Sequence, residues 1–317
     1  MAEWTLTCWN GKKYVLPNLL AWKLEYGLGS PCDSFWVKFL WKGGQIAYLT
    51  AGTRMTVTHG GETVFFGVVD ECECVWSEEG CVAEISGRGM QALLLDNQAE
   101  AVDFRAATLS EILRRYVTPY GISLAKPVNL PWVSWFSVAS GSSCWKVVYD
   151  FARYYAGVTP RFTRTGKLDL SPFGKETPVA LGKGAAVKRI AFREKRYGVL
   201  SQVTVKDAAR WNRQVEGNTA FRNQGGCASR VLLMPRKTGY QARRYNARFQ
   251  LQRSEAEREL VEVTVASWFG AWPGDLLRLD WPRWEKNGLY RVRACEVSFG
   301  ENGLETVLLL GNPDAVL

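Results

Sequence analysis

Residues 51–89, AGTRMTVTHGGETVFFGVVDECECVWSEEGCVAEISGRG, carry the clearest strand signal in the chain. Runs of β-branched and aromatic residues are separated there by glycine turns at Gly60-Gly61 and at Gly80. Short alternating runs joined by glycine-containing turns are typical of antiparallel hairpins. The stretch therefore predicts an antiparallel meander.

Residues 273–312, PGDLLRLDWPRWEKNGLYRVRACEVSFGENGLETVLLLGN, show the same organisation. With one offset, Cys72-Glu73 falls on Cys295-Glu296 and Gly80 falls on Gly303. Self-similarity of this kind predicts two copies of one supersecondary unit. The predicted fold class is mixed and mainly β, with two related antiparallel β-barrels or sandwiches in one chain.

Between the two copies the pattern changes to α+β. Residues 108–111 form a capping box before an apolar stripe of helical spacing. A second helix is predicted from Ser142 or Ser143 to Gly157, and a small hairpin over residues 161–170. This region is therefore predicted to be a small inserted domain.

Length and composition are compatible with such a division, because 317 residues with 47% hydrophobic and 22% charged residues suit a globular protein of about two domains. The predicted parts are residues 1–100 (first barrel), 101–182 (middle α+β domain), 183–206 with 258–317 (second barrel) and 207–257 (a basic insertion). The insertion is predicted to pack with the middle domain. Its own structure stays open, because residues 245–251 alternate like a strand while Ser254 to Glu257 resembles a helix start.

Positive charge is concentrated in residues 183–253, which hold 17 lysines and arginines against three acidic residues. Such a segment suits nucleic acid, an acidic partner, or the acidic first domain of a neighbouring copy. Interleaved Trp and Arg can stack on single-stranded nucleic acid, but both residue types are also enriched at buried protein contacts. The acidic end segments favour the protein interface. The candidate partner or channel contacts are Arg193, Lys195, Arg196, Arg210, Trp211, Arg213, Arg243, Arg244 and Arg248.

Signals for catalysis are weak. His59 is the single histidine, so metal sites built from several histidines are excluded. The eight cysteines lack metal-like pairing; Cys72 and Cys74 are expected to share one strand face as reduced thiols. No phosphate-binding glycine loop occurs, and no apolar run is long enough to span a bilayer. The sequence thus predicts no enzyme, no catalytic residue, no metal, no cofactor and no membrane insertion.

Five short segments spread over the chain resemble one known family. They are Asn10-Gly11-Lys12; residues 31–37, PCDSFWV; residues 85–89, ISGRG, leading into residues 92–96, ALLLD; Ser143-Cys144-Trp145 with Gly166-Lys167-Leu168; and Pro273-Gly274-Asp275 with Tyr290-Arg291-Val292. They are similar to baseplate hub proteins of phage tails, the late control protein D-like group that includes PBSX-type prophage tail proteins. Residues 207–253 match nothing in that group.

The resemblance implies a structural protein of the virion tail baseplate, assembled in the host cytoplasm. Its two barrels would be tube-like, so that a homotrimer presents six and joins a sixfold tail tube to a threefold spike. The implied partners are the tail tube or tube-initiator protein, the spike or tail-tip protein and the tape-measure protein, with DNA only in transit. No catalytic residues carry over.

Two alternatives remain at this point. A nucleic-acid-binding protein would use the basic insertion and bind with a steep salt dependence. A tail-associated cell-wall hydrolase would lose activity when one or two carboxylates are replaced.

Overall fold

A computed structural model describes residues 2–28, 32–42, 44–78, 80–173, 177–208, 212–234 and 239–314. The strands are β1 Ala2–Cys8, β2 Lys13–Val15, β3 Leu19–Gly27, β4 Ser34–Leu40, β5 Gly52–His59, β6 Glu62–Ser77, β7 Gly80–Gly89, β8 Val102–Ala107, β9 Val133–Val138, β10 Arg161–Phe162, β11 Leu168–Asp169, β12 Val179–Leu181, β13 Val187–Glu194, β14 Gln202–Asp207, β15 Arg213–Gly217, β16 Ser229–Met234, β17 Glu259–Val265, β18 Leu276–Leu279, β19 Gly288–Gly300 and β20 Gly303–Gly311. The helices are α1 Ile46–Thr50, α2 Ala92–Asp96, α3 Leu109–Tyr116, α4 Cys144–Asp150, α5 Thr219–Asn223 and α6 Tyr240–Ala256, with a 3₁₀ turn at Thr118–Tyr120 and a π-helical turn at Phe151–Tyr155.

Thirteen strands form one large sheet, which confirms the mainly β prediction. Its order is β13-β17-β20-β19-β3-β4-β7-β6-β5-β1-β2, with β18 pairing with β19 and with β12. The pairs are antiparallel except for β12 and β18, which run parallel. Hydrogen bonding runs through both predicted halves because β19 pairs with β3. Among the described strands the order is an open path, so closure into two barrels stays a prediction.

The hairpins β6-β7 and β19-β20 have the same register. Cys72 lies opposite Ile85, and Cys295 lies opposite Leu308. Each long strand also contains one bulge, at Asp70 in β6 and at the matching position in β19, Arg293. A bulge bends its strand and breaks the pairing at one residue, so its recurrence marks equivalent geometry. The sequence alignment that places Cys72 on Cys295 therefore also matches the strand register of the two hairpins.

The equivalence extends to the two neighbouring strands. In β3-β4, Leu19 pairs with Phe39 before a bulge at Leu20. In β13-β17, Val187 pairs with Val265 before a bulge at Lys188. We therefore define a first unit, β3-β4-β7-β6, and a second unit, β13-β17-β20-β19, which have the same strand order and the same two bulges.

Both units share one hydrophobic core. Trp4 is fully buried in it, with ring centroids 5.9 Å from Trp22 and 6.1 Å from Phe35. The second unit contributes Val263 and Leu308, which are also fully buried. The alternation of buried and exposed residues along these strands places every second side chain in this core.

The middle domain has a separate core and confirms the predicted helices. Thr108 Oγ1 accepts a hydrogen bond of 3.3 Å from the Glu111 amide at the start of α3. At the start of α4, Ser143 Oγ accepts one of 3.1 Å from the Lys146 amide. The predicted hairpin is formed by β10 and β11, with Gly166 at φ 77° in its turn. None of the described helices is both long and apolar enough to cross a membrane.

The insertion differs from the sequence-based division. Residues 202–206 were assigned to the second barrel, whereas β14 pairs with β15 and β16 in a separate three-stranded sheet. The strand-like alternation of residues 245–251 lies within helix α6. That helix is buried on two sides: Ala247 and Leu251 contact the core of the small sheet, while the Phe249 ring lies 5.8 Å from that of Tyr154 in the middle domain. Because apolar residues lie on two sides of this helix, they recur at every second position over residues 245–251, as they would in a strand.

Gly87 provides a test of the close backbone approach between β6 and β7. A Cβ atom there would lie 2.0 Å from the carbonyl oxygen of Val68, so Gly87→Ala must displace backbone. We expect the free energy of unfolding to fall by about 1–3 kcal/mol, measured by urea denaturation with tryptophan fluorescence. Gly184→Ala is the matched control, because nothing lies within 4 Å of its Cβ position. Equal midpoints for both variants would contradict this account.

Candidate functional site: the basic segment and the open strand edges

The first group of predicted contact residues lies at the end of β13. Arg193, Lys195 and Arg196 are all exposed. Arg196 donates a hydrogen bond of 2.6 Å to the Gln224 carbonyl, and the Lys195 ammonium lies 5.9 Å from the ring centroid of Tyr197. Arg193 has no ion pair with any residue in the described part of the chain. Arg196 also lies 3.9 Å from Glu194, so among the described residues Arg193 and Lys195 carry the uncompensated positive charge at this end of β13.

The second group lies on the insertion. Arg244 and Arg248 of α6 flank Glu216 of β15, with Nε to Oε1 distances of 3.9 and 3.8 Å. Arg213 is exposed at the start of β15. Glu216 therefore offsets part of the positive charge that the sequence count gives to this segment. Arg210 and Trp211 lie outside the described residues.

Arg243 differs from the other predicted contacts because it is buried. Its Nη1 atom lies 3.2 Å from Asp207 Oδ2, and the side chains are 10% and 1% exposed. The pair ties α6 to the end of β14. Arg243 is thus placed inside the insertion rather than on its surface.

Within the two four-stranded units, two strand edges are open, and neither has a direct signal in the sequence. β5 covers β6 only as far as Val68, so residues 71–77 of β6 have no strand on that side within the described chain. The outer edge of β13 is likewise without a strand partner there. Trp76 and Val75 are 77% and 47% exposed on the β6 edge. In the sequence, the open edge of β6 is indicated only by length: the strand pattern of residues 64–76 is longer than that of residues 53–58, in the strand that pairs with it.

Arg88, in the Gly-Arg-Gly segment at the end of β7, forms ion pairs with two carboxylates. Its Nε atom lies 2.7 Å from Asp70 Oδ2 at the β6 bulge, and its Nη2 atom lies 2.7 Å from Asp96 Oδ2 in α2. The hydrogen bonds that Arg88 donates to Asp70 and Asp96 raise the pKa of Arg88 above its ordinary value. The residue therefore connects the sheet to the start of the middle domain.

A cavity of about 740 Å³ lies where β3 meets the middle domain. Its lining includes four carboxylates, Asp33, Asp150, Asp169 and Asp275, and carboxylates are the residues that glycoside hydrolysis uses. Asp169 accepts a hydrogen bond of 2.7 Å from Arg161, and Asp150 forms an ion pair of 2.5 Å with Lys146. Asp275 accepts a hydrogen bond of 2.8 Å from the Trp272 amide. Desolvation raises the pKa of Asp33 to about 7, against a hydrogen bond from the Gly27 amide that lowers it. No group of three potential metal ligands occurs among the described residues.

His59 lies outside this cavity. Its ring stacks on Trp268 with centroids 3.9 Å apart and planes 7° apart, which gives it a packing role.

No family model matches the sequence, and no curated protein matches it either. Solved structures do match. A tail protein from Neisseria meningitidis MC58 has a TM-score of 0.80 at 15% identity, covering 99% of this chain and 97% of its own. The 43 kDa tail protein of prophage MuSo2 from Shewanella oneidensis also has a TM-score of 0.80, at 19% identity, covering 99% and 100%. The chain has the fold of phage tail proteins.

A more distant match to this phage-tail fold is a type VI secretion component from E. coli, described as structurally similar to the T4 tail proteins gp27 and gp5. Its TM-score is 0.61 at 11% identity, covering 92% of this chain and 73% of that one. The family resemblance inferred from short motifs is thereby confirmed at the level of the fold.

The buried ion pair of the insertion yields a stability prediction. Arg243→Ala leaves the Asp207 carboxylate buried without this guanidinium, and we expect a loss of about 3–5 kcal/mol in the free energy of unfolding. Arg248→Ala removes an exposed contact and should cost at most about 1 kcal/mol. Urea denaturation of both variants measures the difference. Similar losses would show that burial of the Arg243 pair is unimportant.

The raised pKa of Asp33 predicts a pH dependence. The pKa of Asp33 is about 7 in the folded chain, which exceeds the ordinary aspartate value of about 3.9. Between these two pH values the Asp33 carboxyl is protonated in the folded state and ionised in the unfolded state. The stabilising contribution of protonated Asp33 is complete below about pH 4 and is lost as the pH rises through about 7. Asp33→Asn should therefore gain stability relative to the natural chain at about pH 8, but less at about pH 5. Urea midpoints at the two pH values test this, and an equal difference at both would contradict it.

Proposed function

We propose that the protein is a structural baseplate hub of a phage tail or phage-like particle. In this proposal a homotrimer joins the sixfold tail tube to the threefold spike or tail tip. The observation that carries the proposal is the duplication of a four-stranded unit with the same register and the same bulges in a chain of phage-tail fold. Three chains would present six such units, which matches the symmetry that the adaptor must bridge.

In the assembled ring each unit would contribute one tube-like barrel. One face would meet the tail tube or its initiator protein, and the other the spike. The tape-measure protein would pass through the channel, with DNA only in transit. The likeness of the E. coli neighbour to tail proteins supports the role in a tail or injection machine.

The function proposed is not enzymatic. The neighbouring structures are named as tail proteins, and Asp150 and Asp169 of the cavity are held by Lys146 and Arg161. The basic segment supports a protein interface more than nucleic-acid binding, because Arg243, Arg244 and Arg248 lie against acidic residues of the same chain.

Native mass spectrometry and sedimentation test the hub proposal. We expect a particle of three 35.6 kDa chains, alone or when the protein is co-produced with the tail-tube and spike proteins of the same particle. A chain that is monomeric under all these conditions contradicts the proposal. Tight binding of single-stranded DNA with a steep salt dependence would favour the nucleic-acid alternative instead.

A further inference from the structure

The junction between the two units within one chain supplies a template for contacts between chains. Residues 294–299 of β19, at the outer edge of the second unit, pair antiparallel with β3 of the first unit. Trp22 lies opposite Phe299, and Leu24 lies opposite Val297. Since the first and second units are equivalent, β6 has the position of β19, and β13 has the position of β3. Within the two units, these are the two strands whose outer edges have no strand partner over residues 71–77 and 187–194 in the described chain.

The burial of equivalent residues shows what the open edges lack. Cys295 and Val297 are 2% and 0% exposed where β3 covers them, whereas their counterparts Cys72 and Cys74 are half-buried. The same holds on the other strand. Trp22 and Leu24 are 6% and 0% exposed, but their counterparts Ile190 and Phe192 are only partly buried. Each end of the shared core therefore lacks the cover that the internal junction provides.

We propose that β6 of one copy pairs with β13 of a second copy in the register of the internal junction. Transferring that register places Trp76 opposite Ile190 and Cys74 opposite Phe192 on the core side. These two pairs are apolar, as at the template. The third core-side pair places Cys72 opposite Glu194, where the template has Cys295 opposite Tyr26. The proposal deepens the hub function and rests on it, because the same contact repeated around the ring links all units.

The outward face of this register pairs opposite charges. Glu73 falls opposite Arg193, and Glu71 falls opposite Lys195. Neither glutamate has an ion pair with a described residue, and Glu73 lies beside another acid, Glu84, on β7. At the template, the counterpart Glu296 faces Glu25 directly, and the cation Lys23, opposite Ser298, lies 4.0 Å from Glu296 on the diagonal. Opposite charges at directly facing strand positions stabilise pairing, whereas like charges oppose it.

A second copy is the occupant that these observations select. The two edges lie at opposite ends of the eight-strand run from β13 to β6, and they are not paired with each other in the chain. One copy thus offers a β6 edge and a β13 edge at once. Such head-to-tail contacts form a closed ring or an open filament. In the proposed hub they close after three copies.

A cysteine trap tests the register directly. In a Cys227→Ser background, which removes the exposed thiol, Phe192→Cys would face the natural Cys74 of the next copy. Directly opposed strand residues meet the Cα separation that a disulfide needs. Mild oxidation should give covalent oligomers that reductant reverses. Ala191→Cys is the matched control, because its side chain lies on the other face and should give none.

Charge-reversal variants provide a second, independent test of the register. Glu73→Arg or Arg193→Glu alone should weaken assembly about tenfold or more, because each places like charges opposite one another. The double variant should restore assembly to within about threefold, measured by sedimentation against concentration. Arg213→Glu, an equal change of charge on exposed β15, should leave assembly unchanged.

The outcomes separate this register from the hub proposal itself. An assembly of three chains without the Phe192→Cys cross-link, and indifferent to the charge reversals, overturns the register while the hub proposal stands. A chain that stays monomeric alone and with its tail partners, and gives no cross-link, overturns both. Cross-linking with Ala191→Cys but not with Phe192→Cys would place the edges in a different register and overturn the pairing proposed.

Discussion

Backbone pairing between β19 and β3 is the contact on which the rest of the architecture depends. It joins two four-stranded units into one sheet and one core. The bulge at Arg293 divides β19, so that its first part pairs with β18 and its last part with β3. A bulge bends its strand, so the two parts of β19 run in different directions beside their separate neighbours.

Local sequence patterns predicted the elements that local interactions determine. The capping box at Thr108, the helix start at Ser143 and the glycine turn at Gly166 depend on neighbours within a few residues, and each was found as predicted. The repeat was also visible, because hairpins keep their register through their turns. Helix α6 was not recognised as a helix. Its buried residues face two separate cores, and no single stripe appears in the sequence.

Contacts between distant residues account for what the sequence did not reveal. Counting charges predicted a strongly basic insertion, but Glu216 and Asp207 lie among the arginines of α6 and neutralise part of it. Of the predicted contact residues, Arg193 and Lys195 stand at the open end of β13 without an ion pair to a described residue. Sequence composition cannot distinguish these cases, because the distinction depends on which strand or helix lies opposite. The open edges themselves follow only from the strand order.

The two units differ where they do not pair with each other, and this difference gives the proposed ring its two symmetries. The first unit is continued by antiparallel β5 and β1, whereas the second is continued by β18 and the parallel strand β12. A ring made of both would look sixfold along the shared strands β3-β4-β7-β6 and β13-β17-β20-β19, because these have equivalent registers. It would look threefold at the surfaces built by β12, by the middle domain and by the basic insertion. Duplication within one chain therefore allows the pairing edges to be conserved in geometry while the remaining surfaces diverge. In the proposed hub, three identical chains would in this way meet a sixfold partner on one side and a threefold partner on the other.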